Sequence, residues 1–459
     1  MKDFTLRKRF LDCKRGTSSL FKGFVMLVVL MLMTTSSAMA QEPKYEVIDG
    51  FRYLLESDTK TATLFPKREG KYSGDIIIPE KVKGNDGVEY VVASLGASCF
   101  SGCSGLTSIT IPSSVTSLGE GCFDGCRGLT SITIPSSVTS LGEGCFYGCS
   151  GLTSITIPSS VTSLGDYCFY GCRGLTSITI PSSVTSLGDY CFLNCSGLTS
   201  ITIPSSVTSL GWGCFQGCSG LTSITIPSSV TSLSEACFYG CRGLTSITIP
   251  SSVTSLSGAC FQDCSGLTSI TIPSSVTSLS GACFQDCSGL TSITIPSSVT
   301  SLDLYCFYGC SGLTSITIPS SVTSLGESCF QGCRGLTSIT IPSSVTSLGD
   351  CCFSGCLNLE TVYFEGKYCK SNYADLNIPN KSIIKVPTEY LQGYKDAFGP
   401  DYQYIYAWNS NETGEDSKPV IQCATPSISY ESGKLMFACE TTGAKYHYTI
   451  TDTDIKSDA

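Results

Sequence analysis

Twelve cysteine pairs with the spacing C-x-x-x-C run from Cys99/Cys103 to Cys352/Cys356 and use 24 of the 29 cysteines. Sulfur at that spacing has three outlets: disulfides, a metal site or buried thiols. In an exported chain disulfides are the usual outlet. The metal reading fails on burial and on the lack of histidine, because zinc needs converging ligands. The cysteines share their register with apolar residues, where a free thiol is at home. We therefore rank two ladders of buried free thiols above disulfides, and disulfides above metal. Distance leaves disulfides open, since equivalent Cα atoms of neighbouring turns lie about 5 Å apart. A bridge between Cys423 and Cys439 is a separate, open question. Cys351 and Cys369 have no assignment, and Cys13 belongs to the leader described below.

Other reactive types are sparse. The single histidine, His447, falls in a stretch that reads as a strand, with no nucleophile motif beside it. Acidic residues recur singly at the Glu120 position, in seven of the 11 repeats. Acid–base catalysis needs unlike environments close together, and a repeat makes like ones. No phosphate-cradling or metallopeptidase motif is present. These residues imply no enzyme, no cofactor and no metal site.

What positions the cysteines is a 23-residue unit, repeated 11 times from Leu106 to Asn358. The first copy reads LTSITIPSSVTSLGEGCFDGCRG. A fixed period of this length means a solenoid whose turns cannot fold singly. Twelve such turns would span about 55–60 Å at the strand spacing. Within a turn, the alternation in SITI predicts a strand that Pro112 ends. Val115–Leu118 predicts a second short strand. Cys122, Phe123 and Cys126 fit one face of a short helix, with the freely varying Glu120, Asp124 and Arg127 positions opposite. Gly125 is replaced by Asn194, Asp263 and Asp286 in other copies, and Gly128 by Asn358. That substitution set predicts left-handed backbone at both positions.

Residues 1–40 read as a signal peptide: a basic start, an apolar run from Phe24 to Met33 and the small-residue site Ala38-Met39-Ala40. The run is too short to span a bilayer. The mature chain is expected to start at Gln41 without a lipid anchor, and no later stretch could cross a membrane. The repeats carry eleven acidic residues, four arginines and no lysine. Nothing there attracts phosphate, so nucleic acid is not an expected partner.

The pattern L-x-x-I-x-I-P-x-S-V-x-x-L-G followed by C-F-x-G-C resembles the BspA-like leucine-rich repeat family of bacterial surface proteins, of Bacteroidetes type. Many relatives carry Ala-Phe where this chain has Cys122-Phe123. The resemblance implies a leucine-rich-repeat-like parallel β-solenoid with short strands and short helical turns, capped at both ends. Residues 41–105 look like the N-terminal cap and a degenerate first repeat, with an insertion at Lys83–Glu89. Residues 359–408, with Lys385-Val386-Pro387, Tyr390, Tyr394 and Phe398, look like the closing cap. Bare ends would expose core and strand edges. Residues 409–422 read as a linker. Residues 423–459 read as part of a small β-sandwich-like module, with strands flanking a Glu-Ser-Gly turn.

Two faces could bind. One carries hydroxyl ladders that start at Ser108 and Thr110. The other carries the variation: Tyr147, Tyr190 and Tyr239, the i, i+3 pairs Tyr167/Tyr170 and Tyr305/Tyr308, and Trp212, which reads as standing alone. Exposed aromatic side chains anchor contacts well. The resemblance implies an exported monomer, at the cell surface or secreted, that adheres to host matrix, host cells or other bacteria through proteins or glycans. Near-identical units imply avidity through valency. The alternative is a spacer that presents the C-terminal module. A remote third reading is ice or crystal binding by hydroxyls on a grid of about 4.8 by 7 Å.

Overall fold

A computed structural model describes residues 45–367, 373–400 and 402–408, and the backbone of 427–431 and 434–438. The leader, the linker, Cys13, Cys369, Cys423, Cys439 and His447 lie outside the described residues.

The N-terminal part is a sheet that becomes a solenoid. Strands β1 (Tyr45–Ile48), β2 (Phe51–Glu56) and β3 (Thr61–Phe65) lead to β4 (Gly74–Ile77), β5 (Lys81–Lys83) and β6 (Glu89–Leu95). The sheet order is β1-β2-β3-β6-β5, and β5 pairs antiparallel with β6 across the Lys83–Glu89 segment. From β6 and β4 onward every pairing in the coil is parallel. Strand β7 (Leu106–Thr110) pairs with β4, and β8 (Ser117–Leu118) pairs with β6. The expected second strand of the repeat is thus the dipeptide Ser-Leu.

Register repeats at the period of the sequence. Ile132 pairs with Ile155, Ile178 with Ile201, and Leu164 with Leu187. Each unit is one turn, and its leucine, isoleucine, valine, phenylalanine and cysteine columns merge into one core. Twelve phenylalanines, Phe100 to Phe353, stack nearly parallel with centroids 5.3–6.0 Å apart. The Pro-Ser-Ser-Val corner is held by its second serine. Ser160, for example, donates to the Val138 carbonyl at 2.6 Å.

The turn segment differs from the helix that its spacing suggests. Residues 119–129 form successive three-residue turns: Cys122 N–H donates to Gly119, Asp124 to Gly121 and Cys126 to Phe123. Positive φ at the Gly121 and Gly125 positions breaks any helical run. Other backbone groups of the segment bond between turns. The N–H groups of Gly121, Phe123 and Gly125 donate forward to Glu143, Cys145 and Tyr147 of the next turn. This face is a third parallel ladder, with its N–H groups all aimed one way.

Gly125 does adopt positive φ, and so do Asn194, Asp263 and Asp286. Gly128 does not, which corrects that expectation. An added Cβ there would lie 2.6 Å from the Ser104 carbonyl oxygen. Close approach of the neighbouring backbone, rather than handedness, excludes a side chain.

Both ends of the coil are closed. Tyr72 tilts over Phe100 at 5.0 Å, and Lys71 donates to the Ser101 carbonyl. At the other end Ser338–Ile341, Thr361–Phe364, Ile383–Pro387 and Ile405–Trp408 form a parallel sheet. Carbonyls of Asp375 and Leu376 accept the N–H groups of Cys351 and Phe353. Helix α1 (Leu391–Phe398) buries Tyr394 and Phe398 against Phe364 and Tyr373. Ser427–Glu431 and Lys434–Ala438 pair as an antiparallel hairpin. No helix among the described residues is long and apolar enough to cross a membrane.

Candidate functional site

The cysteines sit inside the coil. All 24 pair cysteines are buried free thiols, and Cys351 is half-buried. In eleven successive turns the second cysteine of the pair donates its S–H to the phenylalanine carbonyl of the turn before, at 3.0–3.2 Å. Burial pushes the Cys172, Cys218 and Cys356 thiols up to about 12, far from the thiolate that sulfur chemistry requires.

The strand face is hydroxylated and exposed. Ser131 and Thr133 flank buried Ile132, and the pattern recurs along the coil. Ser108 itself is engaged: it donates to Asp75 at 2.7 Å, beside Thr107 at 2.8 Å. Those two bonds hold the Asp75 carboxyl below its usual range. Members of the threonine column one residue before the Ser108 column stay exposed but donate to the backbone of the preceding turn, as Thr153 does to the Thr130 carbonyl at 3.1 Å. Thr110 and its equivalents as far as Thr317 are exposed.

The turn face gathers aromatic side chains that the chain order scatters. Tyr147 stacks on Tyr170 with centroids 4.3 Å apart and planes 3° apart. Tyr170 meets Tyr167 at 6.3 Å, Tyr167 stacks on Tyr190 at 5.1 Å, and Tyr190 meets Trp212 at 5.9 Å. Trp212 therefore does not stand alone. It is 44 % exposed and forms the outer end of a five-residue patch across four consecutive turns. Gly213 makes room for it. A Cβ at Gly213 would lie 2.5 Å from the Tyr190 ring, so the ring occupies the space that glycine leaves.

Tyr239 lies outside the patch. Tyr305 and Tyr308 form a second, isolated edge-to-face pair at 5.9 Å. Between the two groups the turn face carries Gly258, Ala259 and Gln262, then Gly281, Ala282 and Gln285.

Carboxylates border the patch. Glu143, Asp166 and Glu235 are exposed and Asp189 is half-buried. The Asp166 carboxylate accepts the backbone N–H of Asp189, and Asp189 that of Trp212, each at 2.8 Å. One oxygen of each is thus fixed by the next turn. Tyr167 is raised by burial first, then by Tyr190, Asp166, Asp189 and Glu143; Tyr190 is raised by burial and then by Asp189 and Glu235. The phenols sit in a local negative field.

Comparison with known proteins agrees with this architecture. The family described as "BspA type Leucine rich repeat region (6 copies)" matches residues 88–199, 186–314 and 301–389. A leucine-rich repeat protein from Bacteroides ovatus is 30% identical, with 74% of this chain covering 99% of that one at a TM-score of 0.60. A leucine rich cell surface protein from Faecalibacterium prausnitzii is 25% identical over 71% of this chain and 96% of its own, with a TM-score of 0.43. The pneumococcal vaccine antigen PcpA shares the fold at 18% identity, over 80% of this chain and 99% of its own, with a TM-score of 0.53. No curated protein matches the chain.

Proposed function

The chain belongs to the BspA-type leucine-rich repeat family, and from that premise we propose that it is an exported surface protein that binds other macromolecules. The observation that carries the reading is the contiguous Tyr147–Tyr170–Tyr167–Tyr190–Trp212 patch on the outside of a closed coil. Aromatic side chains left half-exposed in contact with one another are typical anchors of an interface. The reactive groups that the sequence supplies in number, the thiols, are sealed in the core. Binding rather than catalysis fits that division. The basic leader and its small-residue cleavage site support export, and the family supports the bacterial surface as destination.

The parallel coil also supplies valency, because identical strand faces repeat along one axis. The experiment displays chains with three, six and eleven units, both end caps kept, and measures attachment to host matrix proteins, host cells and neighbouring bacteria. Attachment that grows with copy number, or steps up when residues 147–212 are included, supports the reading. Attachment by residues 409–459 alone would favour the spacer role instead.

A further inference from the structure

We propose that the aromatic patch on the turn face docks a lysine- and arginine-rich segment of a partner protein. The proposal rests on the binding function above and narrows it to one place and one ligand chemistry.

The first argument is location. Equivalent positions in the turns from Leu244 to Gly289 carry glycine, alanine and glutamine, whereas four consecutive turns supply Tyr147, Tyr167, Tyr170, Tyr190 and Trp212. A surface that bound evenly would not concentrate its large side chains in this way. The second argument is the state of the rings. Tyr147 and Tyr170 lie 3° from parallel at 4.3 Å, and Tyr167 and Tyr190 lie 17° from parallel at 5.1 Å. One face of each ring is already covered by its neighbour. A sugar platform needs free ring faces, whereas a guanidinium can use ring edges, phenol oxygens and carboxylates together.

The third argument is charge. The column beside the rings carries Glu120, Glu143, Asp166, Asp189 and Glu235, and none of these pairs with a cation among the described residues. Asp166 and Asp189 each hold a backbone N–H with one carboxylate oxygen, and among the described residues no hydrogen bond engages the second. Such carboxylates are preorganised acceptors for ammonium and guanidinium groups. An acidic column against an aromatic one is complementary to a basic segment and repels an acidic one.

The test uses the mature chain and the fluorescence of Trp212. The other tryptophan, Trp408, is buried and is replaced by Phe to remove its background. Deca-arginine, deca-lysine, deca-glutamate and a neutral oligosaccharide are titrated in turn. The expected result is a saturable change with the two basic peptides alone, weakening as salt rises. Asp166→Asn with Asp189→Asn keeps the acceptor for the backbone N–H and removes both charges. It is expected to weaken basic-peptide binding about tenfold or more. Glu327→Gln, a distant member of the same column, is expected to change nothing. Absence of a saturable signal, preference for the oligosaccharide, or equal weakening by Glu327→Gln overturns the proposal. If basic-peptide binding fails while attachment still grows with repeat number, only this inference falls. If both fail, the binding function falls with it.

Discussion

The Cys126 thiol donates to the Phe100 carbonyl oxygen at 3.2 Å, one turn of the coil away. The same oxygen already accepts the Cys103 N–H at 3.0 Å. The thiol therefore satisfies the second lone pair of a buried carbonyl, which a smaller apolar residue could not do.

Reactivity should follow burial. Under native conditions at neutral pH, a thiol reagent should label half-buried Cys351 and leave the 24 pair cysteines untouched. Denaturation should release all of them. Peptide mapping by mass spectrometry reads this directly, and rapid native labelling of Cys218 would contradict it.

Alkali should unfold the protein through the same thiols. An unfolded cysteine ionises near pH 8.5. Burial holds Cys172, Cys218 and Cys356 protonated up to about 12. Between those values the unfolded chain binds fewer protons than the folded one, so stability falls as pH rises. Their contribution is complete below about pH 8.5 and disappears as pH passes the folded value. Urea midpoints at pH 7, 9 and 10.5 should drop steadily, and less steeply in a chain with Cys172, Cys218 and Cys356 changed to Ala. A flat profile would sink the argument.

Two glycines of neighbouring turns should respond oppositely. A Cβ at Gly197 would lie 2.2 Å from the Arg173 carbonyl oxygen, so Gly197→Ala should cost about 1–3 kcal/mol or more. Gly171 has φ +67° and only the Gly148 Cα near, at 3.8 Å. Asn194 takes the equivalent position at φ 59°. Gly171→Asn should therefore change stability by less than about 1 kcal/mol. Thermal or urea unfolding of the two variants decides it.

That contrast marks the limit of what the sequence reveals. The period, the buried columns and the left-handed Gly125 position are legible because variation between copies separates inside from outside. Gly128 misleads because a glycine kept for close approach looks the same as one kept for positive φ. The helical reading of Cys122, Phe123 and Cys126 fails for a related reason. What breaks the helix is positive φ at the Gly121 column, and its occupants Tyr167, Ala236 and Tyr305 do not advertise it. Trp212 looks solitary because its partner, Tyr190, lies 22 residues earlier and in a different column. Only the coil brings the two together.

Coupling should be confined to neighbours. Phe192 and Phe215 stack at 5.5 Å with planes 2° apart, whereas Phe192 and Phe284 are separated by three intervening rings. Each Phe→Ala change removes a fully buried side chain and should cost about 3–5 kcal/mol. Each turn touches only the turns on either side, so energy is shared between adjacent units and little further. The double change at Phe192 and Phe215 should depart from the sum of the single changes by about 0.5–3 kcal/mol. The double change at Phe192 and Phe284 should match the sum within about 0.5 kcal/mol. Urea unfolding supplies the energies, and hydrogen exchange shows whether opening stays local to the altered turns. Equal coupling in both pairs would mean that the coil unfolds as one block, against a stack of nearest-neighbour interfaces.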